Sequence, residues 1–143
     1  MPRIKLTLPT KIKFTTTIPV RITDINYGNH VGNDSLVSII HEARVKWLVA
    51  ASYTELNVAG ASLIMADLAV EYKGESFYGD VLTINIFIGE ISSVGFEIFY
   101  EITTTRNDEN ILIAKAKTGL VCYDYTARKV AAIPSEFECF LKS

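Results

Sequence analysis

The segment from Ser35 to Tyr53 constrains the fold more than any other part of the chain. It reads SLVSIIHEARVKWLVAASY and contains neither glycine nor proline. Its apolar residues recur three and four positions apart, as on the buried face of a helix: Leu36, Ile39, Ile40, Ala43, Trp47, Ala50 and Ala51. Four further apolar residues widen this stripe: Val37, Val45, Leu48 and Val49. The pattern therefore predicts a long helix that is buried on most of its sides.

Nearly all of the chain beyond this helix has the pattern of β-strands. Four segments are rich in β-branched and aromatic residues and are separated by short turns: residues 62–74, 81–92, 95–105 and 111–126. Long strands in direct succession predict an antiparallel meander.

The two ends of the chain add one strand and one helix to this prediction. The β-branched run at 13–22 predicts a first strand, with Pro19 at a sheet edge or a bulge. The tail at 134–142 predicts a short closing helix with Pro134 at its start.

These elements predict an α+β fold in which an antiparallel sheet of about five strands wraps the long helix. The 143 residues, of which 49% are hydrophobic, fit one domain spanning 1–143. Several strands carry apolar residues on both faces, and a second copy of the chain is the expected cover for the outer face. We therefore expect a homodimer.

Charge and motifs exclude several classes of function. The formal net charge of −2 gives no broad attraction to nucleic acids or anionic membranes. Charges interrupt every apolar run, so we expect no signal peptide, no membrane span and a cytoplasmic location. The two cysteines lie outside any CxxC or zinc-type spacing, and the His41-Glu42 pair is followed by Val45 where a zinc protease needs histidine. No metal site is expected.

The most polar stretch, DINYGNHVGNDS at 24–35, lies immediately before the long helix. Asn33 is the predicted N-cap, which leaves unpaired backbone N–H groups around Asn33 to Ser35 pointing out of the helix. Such N–H groups are suited to stabilise a developing oxyanion. Gly28 and Gly32 permit a close backbone approach or a positive φ beside them.

The segment VRITDINYGNHVGNDSLVSIIHEARVKWL at 20–48 resembles the signature of hotdog-fold acyl-CoA thioesterases of the 4-hydroxybenzoyl-CoA thioesterase type. Those proteins show V-R-x-x-D-x-D-x-x-G-H-V-N-N before a helix with an E-x-A-R end. The register is gapless: Asp24 falls on the first acid, His30 on the histidine and Asn33 on the last asparagine. Downstream, VEYKGESFYGDVLTINIFI and AAIPSEF also resemble the family.

The resemblance implies the hydrolysis of an acyl-CoA thioester to a free acid and coenzyme A. It implies no cofactor beyond the coenzyme A of the substrate, and it implies active sites at the subunit interface of a homodimer or a dimer of dimers. Two departures from the pattern matter for the chemistry: Asn26 replaces the second acid, and Gly32 replaces the first asparagine of V-N-N. An amide is neither a general base nor a nucleophile at neutral pH, so the mechanism of the acid-bearing members does not transfer unaltered.

Three residues are candidates for the catalytic role: Asp24, His30 and His41. Asp24 lies two positions from Asn26, His30 is a base that operates near neutral pH, and His41 falls where a second branch of the family carries a carboxylate base on its helix. Each also has a structural interpretation: Asp24 pairs with an arginine, His30 binds the loop backbone, and His41 lies in a subunit interface. Glu42 is a weaker candidate, because pairing with a lysine four positions on is its common role.

Asn26, Gly32 and Asn33 are the predicted substrate-binding residues. Asn26 either holds a water or the thioester, or closes an Asx-turn. Three tyrosines are candidates for the acyl pocket: Tyr27, Tyr72 and Tyr78. Three cations are candidates for phosphate contacts: Lys73, Arg106 and Arg128.

Two other functions remain open at this point. The first is hydration of an enoyl thioester on the same fold, although the D-x-N-P-x-H spacing of such enzymes is one residue shorter and its proline is missing here. The second is a non-catalytic acyl-thioester binder, which the amide at Asn26 suggests.

Overall fold

One antiparallel sheet wraps one long helix in the computed structural model, which describes residues 2–143. The strands are β1 (Phe14–Pro19), β2 (Ser62–Tyr72), β3 (Val81–Ile91), β4 (Gly95–Arg106), β5 (Glu109–Asp124) and β6 (Lys129–Val130). The helices are α1 (Asn33–Ala50) and α2 (Ser135–Lys142), and a 3-10 turn spans Ile22–Asp24. The order in the sheet is β1-β3-β4-β5-β2, with β6 paired to β5, and all these pairings are antiparallel.

The core lies between α1 and the concave face of the sheet. Alternate residues of the central strands point inward, and Ile84, Ile98 and Ile102 are fully buried there. From α1, Ile39, Ile40 and Leu48 meet them, and each is at most 1% exposed. Burying an aliphatic side chain of this size contributes about 1.5–3 kcal/mol, so apolar burial is what holds α1 in the sheet.

This arrangement confirms the predicted α+β hotdog fold and the closing helix with Pro134 ahead of it. The meander was predicted over four successive strands, but only β3, β4 and β5 are consecutive neighbours, because β2 pairs with β5 instead of β3. Pro19 ends β1, which is an edge strand as predicted. The first strand is shorter than expected, because the chain turns into the 3-10 helix at Ile22. The short strand β6 was not predicted, since two residues carry no detectable alternation.

The long helix differs from its prediction in extent and in burial. It begins at Asn33 and ends at Ala50 rather than Tyr53, because Ser52 adopts a positive φ of 65°. It is buried on one face only in the single chain, and Val49 on the opposite face is exposed. Arg44, in contrast, lies inside the core, where Nη1 donates to the hydroxyl of Tyr100 at 3.2 Å.

Within residues 2–143, no helix combines the length and the apolar character that crossing a membrane requires.

Candidate active site

The polar loop ahead of α1 is anchored by Asp24. Its carboxylate accepts the backbone N–H of Arg21 at 2.8 Å and the guanidinium of the same residue at 3.1 Å. The Asp24 side chain is only 3% exposed, and its backbone carbonyl accepts the N–H of Gly32 at 3.0 Å. These bonds correspond to the structural interpretation of Asp24, and they occupy both of its carboxylate oxygens.

Asn26 closes an Asx-turn in the same loop. Its Oδ1 accepts the N–H of Gly28 at 2.9 Å, and its own N–H donates to the carbonyl of His30 at 2.9 Å. Positive φ occurs at Asn29 rather than at either predicted glycine. Gly28 instead permits close packing, since an added Cβ would lie 3.2 Å from His30 Nε2 and 3.3 Å from Asn26 Oδ1.

Gly32, not Asn33, is the N-cap of α1, so the predicted cap is wrong by one position. Asn33 is the first helical residue, and its Oδ1 accepts the N–H of Asp34 at 2.8 Å. Within residues 2–143, the N–H groups of Asn33 and Ser35 have no acceptor. The helix start therefore presents two free donors even though the capping residue differs from the prediction.

A cavity of about 270 Å³ lies beside this helix start and is called the helix cavity below. Its polar lining includes His30, Asn33, Tyr72, Glu75 and Ser76, and its apolar lining includes Val31, Leu36 and Ile113. The loop thus joins its signature histidine and the first helical residue in one concave space.

His30 is oriented within this cavity by its own loop. Its Nδ1 lies 3.1 Å from the carbonyl of Val31. A carbonyl only accepts, so this bond requires the proton on Nδ1 and leaves the lone pair of Nε2 free. Tyr72 completes the wall by donating its hydroxyl to the carbonyl of Asn33 at 3.1 Å. Burial and the charge of Asp34 raise the pKa of Tyr72, so it stays a donor at neutral pH.

Glu75 is a lining residue that the sequence did not single out. It reaches the helix cavity because the N–H of Val31 donates to the carbonyl of Ser76 at 2.8 Å, which joins the loop to the turn between β2 and β3. Arg106 secures the same turn through Asp80 at 3.0 Å. Within residues 2–143, the Glu75 carboxylate has no cation within 4.0 Å, while the guanidinium of Arg106 donates to the backbone carbonyl of the same residue. The G-E-S sequence alone gives no signal of this contact.

His41 lies outside the helix cavity. It is 57% exposed on α1, and its Nε2 lies 2.6 Å from Oε1 of Glu55. The other oxygen of Glu55 lies 3.7 Å from Nε of the buried Arg44. The structure therefore separates His41 from His30 within one chain.

Glu42 also lies elsewhere, in a larger cavity of about 420 Å³ between α1 and β1 that Arg21 and Lys46 line as well. That cavity contains neither histidine, so its size does not make it the stronger candidate.

Of the three candidate tyrosines, only Tyr72 lines the helix cavity, while Tyr27 and Tyr78 are exposed. Among the candidate phosphate contacts, Arg106 is occupied by Asp80, and Lys73 pairs with Glu71 at 2.8 Å.

Comparison with known proteins identifies the relatives of this chain. Residues 20–141 match the thioesterase-like superfamily. A 1,4-dihydroxy-2-naphthoyl-CoA hydrolase of Nostoc punctiforme is 29% identical over 138 residues, which span 92% of this chain and 88% of that protein. A protein of the same description from Acaryochloris marina is 28% identical over 131 residues, spanning 88% and 93% of the two chains.

A solved structure shows the same fold. The crystal structure of a 1,4-dihydroxy-2-naphthoyl-CoA thioesterase from Synechocystis superposes with a TM-score of 0.80 at 24% identity, covering 91% of this chain and 96% of that one.

Proposed function

Because the chain belongs to the thioesterase-like superfamily, we propose that it hydrolyses an acyl-CoA thioester to a free acid and coenzyme A. The two similar proteins from Nostoc punctiforme and Acaryochloris marina are both described as 1,4-dihydroxy-2-naphthoyl-CoA hydrolases. The observation that carries the proposal is the helix cavity, which is lined both by Asn33 at the start of α1 and by His30, whose Nε2 has no hydrogen-bond partner among residues 2–143.

The start of α1 supplies the electrophilic part of the reaction. The N–H groups of Asn33 and Ser35 are free to donate to the thioester oxygen as it gains negative charge. The helix dipole adds a partial positive charge at the same place. A single donor of this kind is worth about 2.7–4 kcal/mol of transition-state stabilisation.

His30 is the proposed general base. Its Nε2 takes a proton from a water molecule while the water oxygen bonds to the thioester carbon. The carbon–sulfur bond then breaks, and the proton passes to the departing thiolate of coenzyme A. The bond from Nδ1 to Val31 holds the ring in place throughout. Asp24 is less suited to this role, because it is buried and both of its carboxylate oxygens are bonded to Arg21. Asn26 has its Nδ2 free to donate to the water.

The acyl group is proposed to lie against Val31, Leu36 and Ile113. These side chains are apolar and branched, and none offers a hydrogen bond to the acyl tail. An aryl group and a branched aliphatic group are therefore the acyl classes to compare first.

The proposed functional unit is a homodimer joined through β2. This strand ends the sheet, so one of its long edges has no strand partner within residues 2–143. Met65, Leu68 and Tyr72 expose apolar surface along it. Unpaired edges with exposed apolar residues favour pairing with another chain. The cytoplasmic location stays a prediction.

A panel of acyl-CoA thioesters with detection of the released thiol tests the function. We expect hydrolysis of at least one aryl or aliphatic member well above the buffer rate. A panel without turnover would reject the hydrolase; hydration of crotonyl-CoA would then indicate the enoyl reaction, and calorimetric binding without product would indicate a binder. Light scattering on the eluting protein measures the oligomeric state in parallel, and a monomer would contradict the dimer.

A further inference from the structure

A second cavity, of about 240 Å³, gathers three cations from distant parts of the sequence and is called the cationic cavity below. Arg3 and Lys5 come from the first described segment, and Lys73 follows β2. Glu71 is its one acidic lining residue. We infer that this cavity binds the phosphate groups of the coenzyme A portion of the substrate, and this inference rests on the proposed function.

The segment that carries Arg3 and Lys5 is tied to the outer face of the sheet. The N–H of Leu6 donates to the Glu71 carboxylate at 3.0 Å, and Nζ of Lys115 lies 3.5 Å from the carbonyl of Leu6. Residues 71 and 115 are paired across β2 and β5, on the face opposite the buried Ala114 and Ala116. These bonds therefore hold Arg3 and Lys5 beside the end of β2.

The charges in the cationic cavity do not cancel. Glu71 is occupied internally, since Lys73 lies 2.8 Å from it. The hydrogen bond from Lys73 is the largest cause that lowers the pKa of Glu71, and the bond from the N–H of Leu6 is the next. Glu71 therefore remains ionised and bound to these two partners. Arg3 and Lys5 have no carboxylate within 4.0 Å among residues 2–143. In a chain whose formal net charge is −2, this is a local excess of positive charge facing an open cavity.

Tyr72 borders both the cationic cavity and the helix cavity. Its hydroxyl reaches α1, whereas its neighbours Glu71 and Lys73 project to the other face, as alternate strand residues do. A ligand that passes the end of β2 thus meets the thioester site on one side and the cations on the other. Coenzyme A carries its phosphates at the end remote from the thioester, and guanidinium and ammonium groups are their natural partners.

The test compares two substrates that share an acyl group: the best acyl-CoA of the panel and the corresponding acyl-pantetheine, which lacks the phosphorylated nucleotide. The variant is Arg3→Gln/Lys5→Gln. The matched control, Lys46→Gln/Lys129→Gln, removes the same charge from exposed sites outside the cationic cavity. We expect the variant to raise KM for acyl-CoA about five-fold or more, since each exposed charge pair is worth a small factor. Its kcat, and both constants for acyl-pantetheine, should match those of the control.

Salt gives a second readout. The kcat/KM for acyl-CoA should fall with ionic strength in the parent protein and fall less steeply in the variant, because exposed charges are screened. Competition by inorganic phosphate and by adenosine 3′,5′-bisphosphate separates a bare phosphate site from a nucleotide site. Only the nucleotide should compete at low concentration.

An equal KM change for both substrates, or no change for either, would overturn the inference. Should no thioester be hydrolysed, the proposed function fails by itself, and calorimetry with coenzyme A and with pantetheine still decides this point. A parent protein that binds both equally would overturn the cationic cavity as a phosphate site. Unchanged melting temperatures show that the variant is folded.

Discussion

Replacing His30 by glutamine separates the proposed base from the fold around it. Glutamine is polar and of similar length, so the loop keeps its hydrogen-bonding potential while the lone pair of Nε2 is lost. A positioned general base contributes about 10²–10⁴ in rate, which corresponds to about 2.7–5.5 kcal/mol in the activation free energy. We expect kcat to fall by that factor. KM should stay nearly unchanged, because the apolar residues proposed to contact the acyl group are intact.

His41→Gln is the matched control for this experiment. His41 follows Asn33 by eight residues, which places it about 12 Å along the axis of α1. His41 is exposed and contacts Glu55, and it does not line the helix cavity. We expect its kcat to stay within about three-fold of the parent. Glu75→Gln should lower kcat less than ten-fold, because Glu75 lines the cavity as a solvent-exposed carboxylate.

The assay is thiol release at saturating acyl-CoA, with circular dichroism to compare the folded states. A His30→Gln protein that retains more than a tenth of the parent kcat would refute the assignment of the base. A collapse in His41→Gln instead would mean that the base comes from the helix of a partner subunit. A collapse in Glu75→Gln would transfer the role to that carboxylate.

Three further predictions concern stability. Glu55→Gln leaves the buried charge of Arg44 without its partner at 3.7 Å, so it should lower the free energy of unfolding, measured in urea, by about 1–3 kcal/mol. Arg44→Met removes that charge and should change the same free energy by less than about 1 kcal/mol. A larger loss in Arg44→Met than in Glu55→Gln would contradict the reasoning. Burial raises the pKa of Tyr100, so the folded state keeps its proton while the unfolded chain loses it, and stability should be intact below about pH 10 and fall above it. An unchanged alkaline slope in Tyr100→Phe would assign that effect to another group. Gly95→Ala places a Cβ 2.5 Å from the backbone oxygen of Leu120, so it should lower the free energy of unfolding, measured by thermal unfolding, by about 2 kcal/mol or more. An unchanged stability would mean that β4 and β5 separate easily.

Periodicity was enough to predict the helix and the long strands. The stripe through Leu36, Ile40 and Trp47 is buried as its spacing indicates. The pattern overestimated the burial of α1. Val49 is apolar in the sequence, but in a single chain the sheet covers only one face of the helix, and Val49 lies on the other. Arg44 shows the converse: its burial depends on Tyr100 in β4, and no local pattern reveals that pairing.

The candidate site was predictable where it is local and unpredictable where it is assembled by tertiary contacts. His30 and Asn33 lie three residues apart, and the helix start brings them into one cavity. Glu75 reaches the same space only through the bond between Val31 and Ser76. The cap was misplaced because glycine and asparagine are both acceptable N-cap residues, so adjacent candidates differ little in free energy.

Asn26→Asp distinguishes a hydrolase that uses His30 from a binder that has lost its acid. Oδ1 of Asn26 accepts the N–H of Gly28, and a carboxylate would keep that bond while its second oxygen replaces the Nδ2 donor. Since an added Cβ at Gly28 lies within 3.3 Å of both Asn26 Oδ1 and His30 Nε2, the new charge would lie near the imidazole. If His30 already removes the proton from water, a second acceptor beside it adds little, and we expect thiol release to change by less than ten-fold. A parent protein without turnover that acquires hydrolysis through this one substitution would establish the opposite, because the reaction would then depend on the carboxylate and not on the imidazole.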